Sequence, residues 1–313
     1  AASARAAARS ACCASSILLD LQVRFAATLA SMTAQASCIG IVGLGLIGGS
    51  LARALKHRDP SYRIIAVEPR EDTREAALRA RVVDVALAHP ARDLEACAVV
   101  FLAMPVGALE STLTALGPCL STMTLLTDVC GIKQSVAAQV ARLLPHIEFV
   151  GGHPMAGGTE GGFGHSRSDL FTGAAVAICP APGAQGRVAA LAELWRAVGA
   201  RPTVMDAETH DRLVALSSHL PYLSAVAITE LIAARPEAAT LSGNGLRHAT
   251  RQASFAPEIM AASALSNPYL PEELRRLAVR LEQLARLLET SPDELGAVVA
   301  QARRHHQRLL LES

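Results

Sequence analysis

The sequence predicts an α/β Rossmann-type N-terminal domain with a parallel-rich sheet, followed by an all-α C-terminal domain. Three observations predict it. Short apolar runs alternate with helix-like stretches from Cys38 to Met205. A glycine-rich turn stands between the first run and the first helix. After Asp206 the strand signal stops and long helical stretches take over. Apolar runs without polar alternation belong to strands covered on both faces, and such strands need helices on both sides of a mostly parallel sheet.

The elements follow in order. Ile39–Gly43 reads as a buried strand, Leu46–Lys56 as a helix, Arg63–Glu68 as the second strand and Asp72–Ala80 as the second helix. Ala98–Ala103 is an apolar run ended by Pro105, and Thr124–Asp128 is another, followed by helix-like Gln134–Leu144. Glu148–Gly151 and Ala174–Cys179 are further strands, then come helix-like Gln185–Val198 and strand-like Pro202–Met205. Beyond them, His210–Ala234 reads as one helix kinked at Pro221, and Pro271–Glu289 and Pro292–Leu311 as two more. Pro271 and Pro292 sit in first turns, where the missing N–H has no partner to lose. The domains are thus expected at 37–205, dinucleotide-binding, and at 206–313, helical.

Residues 1–36 differ in kind: Ala- and Ser-rich, with Arg5, Arg9 and Arg24 against one acid, Asp20. That composition resembles a transit peptide. The plainer reading is a disordered upstream extension, with the working protein starting near Met32. The plainer reading places the protein in the cytoplasm, the other in an organelle.

Composition narrows the function classes. The 313 residues carry a formal net charge of +1, which offers no electrostatic footprint for nucleic acid or a membrane surface. No apolar run approaches the ~18 residues of a bilayer span. Aromatics are only 3%, so the core rests on Leu, Val, Ile and Ala. Seven scattered cysteines without C-x-x-C spacing argue against a disulfide scaffold or a zinc site.

Gly43-x-Gly45-x-x-Gly48 follows a strand and opens a helix, the two contexts a dinucleotide loop needs. Gly43 permits the tight turn, Gly45 admits the pyrophosphate, and Gly48 lets helix and strand pack closely. Leu46 and Ile47 lie between them at the positive helix end. Glu68 ends the second strand 20 residues after Gly48. A carboxylate there accepts ribose hydroxyls and repels a 2′-phosphate, which favours NAD. Arg70 and Arg74, just beyond, leave NADP open because a guanidinium pairs with that phosphate. Pro105 and Asp128 close apolar runs at carboxyl edges of the sheet, where such folds bind ligands, and join the candidate cofactor residues.

Three further segments carry chemistry: Thr127–Lys133, Gly151–Glu160, and the helix holding His210, His219 and Tyr222. His153 is flanked by glycine and proline at the end of a strand, a geometry that presents imidazole to a cleft. Oxidising an alcohol needs a base for the hydroxyl proton, and histidine has the right ordinary pKa. His219 reads equally as a core histidine and as a substrate contact, and Lys133 equally as a cofactor neighbour and as a helix-capping lysine.

Gly45-Leu-Ile-Gly-Gly-Ser50, Gly151-Gly-His-Pro-Met-Ala-Gly157, Ser218-His-Leu-Pro221 and Gly245–Arg251, met in that order, resemble the prephenate/arogenate dehydrogenase family of tyrosine biosynthesis. The resemblance runs from about Ile39 to Leu311. It implies oxidative decarboxylation of prephenate to 4-hydroxyphenylpyruvate, or of arogenate to tyrosine, with hydride transfer to NAD(P). It implies His153 as the base, Arg251 as the cation holding a substrate carboxylate, substrate contacts at His219, Tyr222 and Gly131, and a homodimer built through the helical domain. Two departures stand out. The family's Asp-x-x-Ser-x-Lys reads Asp128-Val-Cys-Gly-Ile-Lys133, with Gly131 at the serine position. Ser-His-Leu-Pro-His ends in Tyr222 instead of histidine, which tilts the expectation toward arogenate or dual use. Two other functions stay open: a β-hydroxy-acid dehydrogenase of similar architecture, which would rely on a lysine base, and a non-catalytic dinucleotide-binding regulator.

Overall fold

A computed structural model describes residues 38–158, 160–255 and 257–312. The extension expected over 1–36, with Cys12 and Cys13, lies outside the described residues. The chain divides into two compact units. The first holds the residues up to Asp211 together with Ser254–Ser266, and the second holds Arg212–Ala253 and Asn267–Ser313.

The first unit alternates as its apolar runs require. Its elements are β1 (Cys38–Val42), α1 (Leu46–Arg58), β2 (Arg63–Val67), α2 (Glu71–Arg79), β3 (Val85–Leu87), β4 (Val99–Leu102), α3 (Leu109–Leu116), β5 (Leu125–Asp128), α4 (Gln134–Leu143), β6 (Glu148–Pro154), β7 (Ala175–Pro180), α5 (Val188–Ala197) and β8 (Arg201–Val204). The strands form one sheet in the order β3-β2-β1-β4-β5-β6-β7-β8. Every pair is parallel except β6 and β7. The order reverses at β1 and β4, and a ligand crevice opens at the carboxyl ends of such strands.

The period of two along each strand divides its residues between two cores. Ile39 and Ile41, Ile64 and Ala66, and Val99 and Phe101 pack with Leu51, Leu55 and Trp195 from α1 and α5. Val42, Ile65, Val67, Val100 and Leu102 pack with Leu109, Leu113, Val136 and Val140 from α3 and α4. Each fully buried Leu or Ile contributes about 1.5–3 kcal/mol.

The structure adds to the sequence expectations here. Neither β3 nor α3 is expected: β3 has only three residues, and α3 follows Pro105 without a polar cap. β6 runs on from Gly151 through His153 to Pro154, because it gains pairing from β7, with His153 opposite Ala177. Reversal of β7 makes the sheet mixed at that edge, which the apolar pattern of a strand cannot announce.

The first unit closes with the start of α6 (Ala207–Val214) and, after the chain's excursion through the second unit, with α9 (Pro257–Leu265). In the second unit a π-helical turn (Ala215–His219) leads into α7 (Leu220–Ala233), followed by α8 (Asn244–Thr250), α10 (Leu270–Thr290) and α11 (Pro292–Glu312). The kink expected at Pro221 takes the form of that π turn. Proline has no N–H for the carbonyl four residues back, and the chain re-registers, Leu220 donating to Ala215 O. No helix among the described residues is long and apolar enough to cross a membrane.

Candidate active site

The glycine loop has the form its spacing implies. Gly43 holds φ +97°, and a Cβ on it would lie 2.7 Å from Ala103 O. A Cβ on Gly48 would lie 2.0 Å from Gly43 O, so only glycine lets α1 pack this closely on β1. Around Gly45 the space is open, with nothing within 4 Å of its Cβ position. Helix α1 starts after Gly45 without a side-chain cap, so its first-turn N–H groups are offered to an anion. Leu46 and Ile47 pack at the edge of the core.

Glu68 is buried at the end of β2 and its carboxylate is fixed by three donors. Leu44 N donates to Oε2 at 3.0 Å, and Arg70 donates to Oε1 from its backbone N at 3.1 Å and from Nε at 3.3 Å. Arg74 donates Nη1 to Glu68 O (3.0 Å) and Pro69 O (2.7 Å). Both arginines that left NADP open thus hold the Glu68 turn. Pro105 begins the 3-10 turn at the carboxyl end of β4, accepting from Ala108 N at 2.9 Å.

Asp128, expected among the cofactor contacts, is turned inward. It is wholly buried and accepts from Gly152 N and Cys130 N, each at 3.0 Å, and from Lys133 Nζ. Lys133 is 1% exposed and also donates to Gly152 O at 2.7 Å. This clamp ties the loop after β5 to strand β6 one residue before His153. Gly152 must be glycine, since its Cβ would lie 2.7 Å from Asp128 O. Lys133 Nζ is committed to this clamp, which counts against the lysine base of a β-hydroxy-acid dehydrogenase.

His153 is reached by a directed chain of hydrogen bonds. Asp211 accepts Lys133 N at 2.8 Å on one oxygen and Gln134 N at 2.9 Å on the other. His210 Nδ1 lies 2.7 Å from the same Asp211, and His210 Nε2 lies 2.9 Å from His153 Nδ1. A carboxylate that takes backbone donors accepts from the ring too, so His210 Nδ1 carries its proton. In the neutral ring Nε2 then accepts, His153 Nδ1 donates, and the His153 lone pair is left on Nε2. That is the tautomer a proton-accepting base requires. Sequence reasoning singled out His153 but gave His210 and Asp211 no role. The adjacent His-Asp pair on one helix was the available signal.

Gly131 lies in the loop after β5, its Cβ position 3.8 Å from His153 Cε1. The remaining expected substrate residues belong to the second unit. His219 is buried on the π turn with Nδ1 3.2 Å from Asn267 Nδ2. Asn267 Oδ1 accepts Tyr269 N at 3.0 Å, which orients the amide so that Nδ2 donates to His219. Tyr222 is buried on α7, and Arg251 is exposed where α8 gives way to a 3-10 turn.

A doubly wound sheet, a glycine loop built for a pyrophosphate, a fixed carboxylate at β2 and an oriented histidine define an NAD(P)-dependent dehydrogenase. Comparison with known proteins makes that class particular. Residues 51–204 match the family model described as prephenate dehydrogenase, nucleotide-binding domain, and residues 206–300 match prephenate dehydrogenase, dimerization domain. The chain belongs to the prephenate dehydrogenase family, whose reaction is an oxidative decarboxylation. It is 29% identical over 235 residues to the cyclohexadienyl dehydrogenase of Zymomonas mobilis, covering 73% of this chain and 80% of that one. It is 31% identical over 246 residues to the prephenate dehydrogenase of Bacillus subtilis, covering 75% and 66%. Synechocystis arogenate dehydrogenase superposes with a TM-score of 0.76 at 29% identity, covering 87% of this chain and 99% of that one. The fold is also that of Aquifex aeolicus prephenate dehydrogenase in complex with hydroxyphenyl propionate and NAD+, with a TM-score of 0.81 at 24% identity over 87% and 98% of the two chains.

Proposed function

We propose that this enzyme oxidatively decarboxylates arogenate, or arogenate and prephenate alike, with NAD as cofactor and His153 as the base. The observation that carries the reading is the Asp211–His210–His153 chain, which leaves the lone pair on His153 Nε2. NAD, when bound on the glycine loop, supplies the hydride acceptor. His153 Nε2 takes the proton of the ring hydroxyl as the carbinol carbon is oxidised. The ring carboxylate leaves as CO2, its bonding electrons pass through the ring to the oxidised oxygen, that oxygen takes the proton back from His153, and the ring becomes an aromatic phenol. The protein's share is positioning and proton removal.

Arg251 holds a substrate carboxylate, a role that suits the bidentate guanidinium fork. His219, Tyr222 and Gly131 complete the substrate contacts, and Tyr222 in place of histidine supports the arogenate preference. Gly43, Gly45, Leu46, Ile47, Gly48 and Pro105 contact the cofactor. Glu68 supports NAD over NADP: a 2′-phosphate would bring a second negative charge to a buried, anchored carboxylate. A homodimer through the helical unit accounts for the apolar side chains exposed there, among them Leu231, Val279, Leu281 and Leu288.

The deciding assay combines purified protein with each of four pairs, arogenate or prephenate with NAD or NADP, and follows absorbance of the reduced nicotinamide. Arogenate with NAD is expected to give the highest kcat/KM. No reduction with any pair sinks the enzyme reading, and a prephenate-only enzyme sinks the substrate assignment.

A further inference from the structure

One buried side chain of the first unit faces the Gly131 loop, beside His153, without a part in anything above: Ser263, on α9. Helix α9 packs on the 3-10 turn Val106–Ala108 beyond β4 and brings Ser263 over the loop after β5. Gly131 stands in that loop where the Asp-x-x-Ser-x-Lys pattern carries serine. A Cβ on Gly131 would lie 3.2 Å from Ser263 Oγ, 3.7 Å from Ser263 Cβ and 3.8 Å from His153 Cε1. The hydroxyl is nearer than its own Cβ, so it points into the gap. Ser266, three residues on, behaves differently and donates to Ala262 O at 2.8 Å within the helix. Ser263 is 7% exposed.

We propose that Ser263 is a further catalytic residue, whose hydroxyl donates to the oxygen of the substrate's ring hydroxyl beside His153, from the space that a side chain at position 131 would occupy. Negative charge builds on that oxygen as His153 takes its proton, and a fixed donor there lowers the barrier. The proposal rests on the reading of His153 as the base. It makes Gly131 and Ser263 a matched pair: one position has no side chain, and the hydroxyl of the other stands 3.2 Å from where that side chain would begin.

The test is a reciprocal swap in the full chain. Ser263→Ala is expected to lower kcat about tenfold, the rate equivalent of one neutral hydrogen bond, with NAD affinity by calorimetry unchanged. Gly131→Ser alone is expected to lower kcat, because its Cβ would come to 3.2 Å from Ser263 Oγ and push that hydroxyl aside. The double variant Gly131→Ser/Ser263→Ala is expected to recover most of the wild-type kcat, which a merely structural serine would not allow. In the ligand-free protein, the His153 Cε1–H resonance should move in Ser263→Ala and return toward wild type in the double variant. Wild-type kcat in Ser263→Ala, or a folded double variant no better than that single one, overturns the proposal. Should Ser263→Ala melt early, Ser263→Cys replaces it, and full kcat with that weaker donor is equally fatal. If the wild-type protein turns over no substrate pair, the functional reading fails by itself, and an unmoved His153 resonance is then what overturns the proposed contact.

Discussion

Asp211→Asn tests the proton chain behind His153, and its cost can be worked from the bonds the carboxylate makes. Asp211 takes Lys133 N and Gln134 N on opposite oxygens and faces His210 Nδ1. An amide has one acceptor end. With that end toward Lys133 and His210, its NH2 meets the Gln134 N–H, donor against donor. A buried N–H left without an acceptor costs about 1–3 kcal/mol. With the amide reversed, NH2 faces His210 Nδ1, which must surrender its proton to accept. The proton then sits on His210 Nε2, His153 Nδ1 becomes the acceptor, and His153 Nε2 carries hydrogen. The base is lost in the second orientation and poorly held in the first. The variant should therefore unfold about 1–3 kcal/mol more easily in urea and turn over about 10–100-fold more slowly, the equivalent of about 1.4–2.8 kcal/mol in the barrier. Nitrogen-15 histidine spectra read the tautomer directly: His153 protonated on Nδ1 in the wild type, shifted toward Nε2 in the variant. A wild-type His153 protonated on Nε2 would refute the reasoning, whatever the rates.

Other perturbations probe the supports of the site. Asp128→Asn leaves the Lys133 ammonium buried without its counter-charge and should cost about 3–5 kcal/mol in a denaturant melt, with Asp128→Asn/Lys133→Met regaining part of it; a loss under about 1 kcal/mol would show that the clamp is not ionic. Glu68→Gln removes the charge that opposes a 2′-phosphate and should shift the kcat/KM ratio about tenfold or more toward NADP; an unchanged ratio removes Glu68 from cofactor choice. Burial pushes the Cys179 thiol up from 9.0 to about 12, and burial beside Asp128 also raises Cys130. Iodoacetamide at pH 8 should spare both in the native protein while modifying half-buried Cys119, and native labelling of Cys179 at the unfolded rate would contradict this. A raised folded-state pKa is a contribution present below the unfolded value and lost above it, so Cys179 should weaken the fold progressively between pH 9 and about 12.

What could be read from the sequence was local. The glycine loop and Glu68 belong to one βαβ unit, and each residue's task follows from its place in that unit. His153 announces itself in the sequence because it stands between Gly152 and Pro154 at the end of a strand. The partner of His153 is 57 residues away, and the hydrogen bond exists only because β6 and α6 meet. No spacing rule encodes that meeting. Lys133 was ambiguous for a related reason: only folding decides whether a lysine is solvated or sealed against a carboxylate. Ser263 could not be found at all, since its relation to Gly131 spans 132 positions and runs through an absent side chain.

The return of the chain to its first unit has a consequence during synthesis. The sheet, the glycine loop and the Asp211 pair have all been made once residue 211 is added, yet α9 belongs to the same unit and ends 55 residues later, near Ser266. At about 5–20 residues per second, the ribosome needs roughly 3–11 s to cover that distance. During that interval the loop holding Gly131 lacks the helix that carries Ser263. A pause in synthesis between residues 211 and 266 would prolong the time the first unit spends without its last helix.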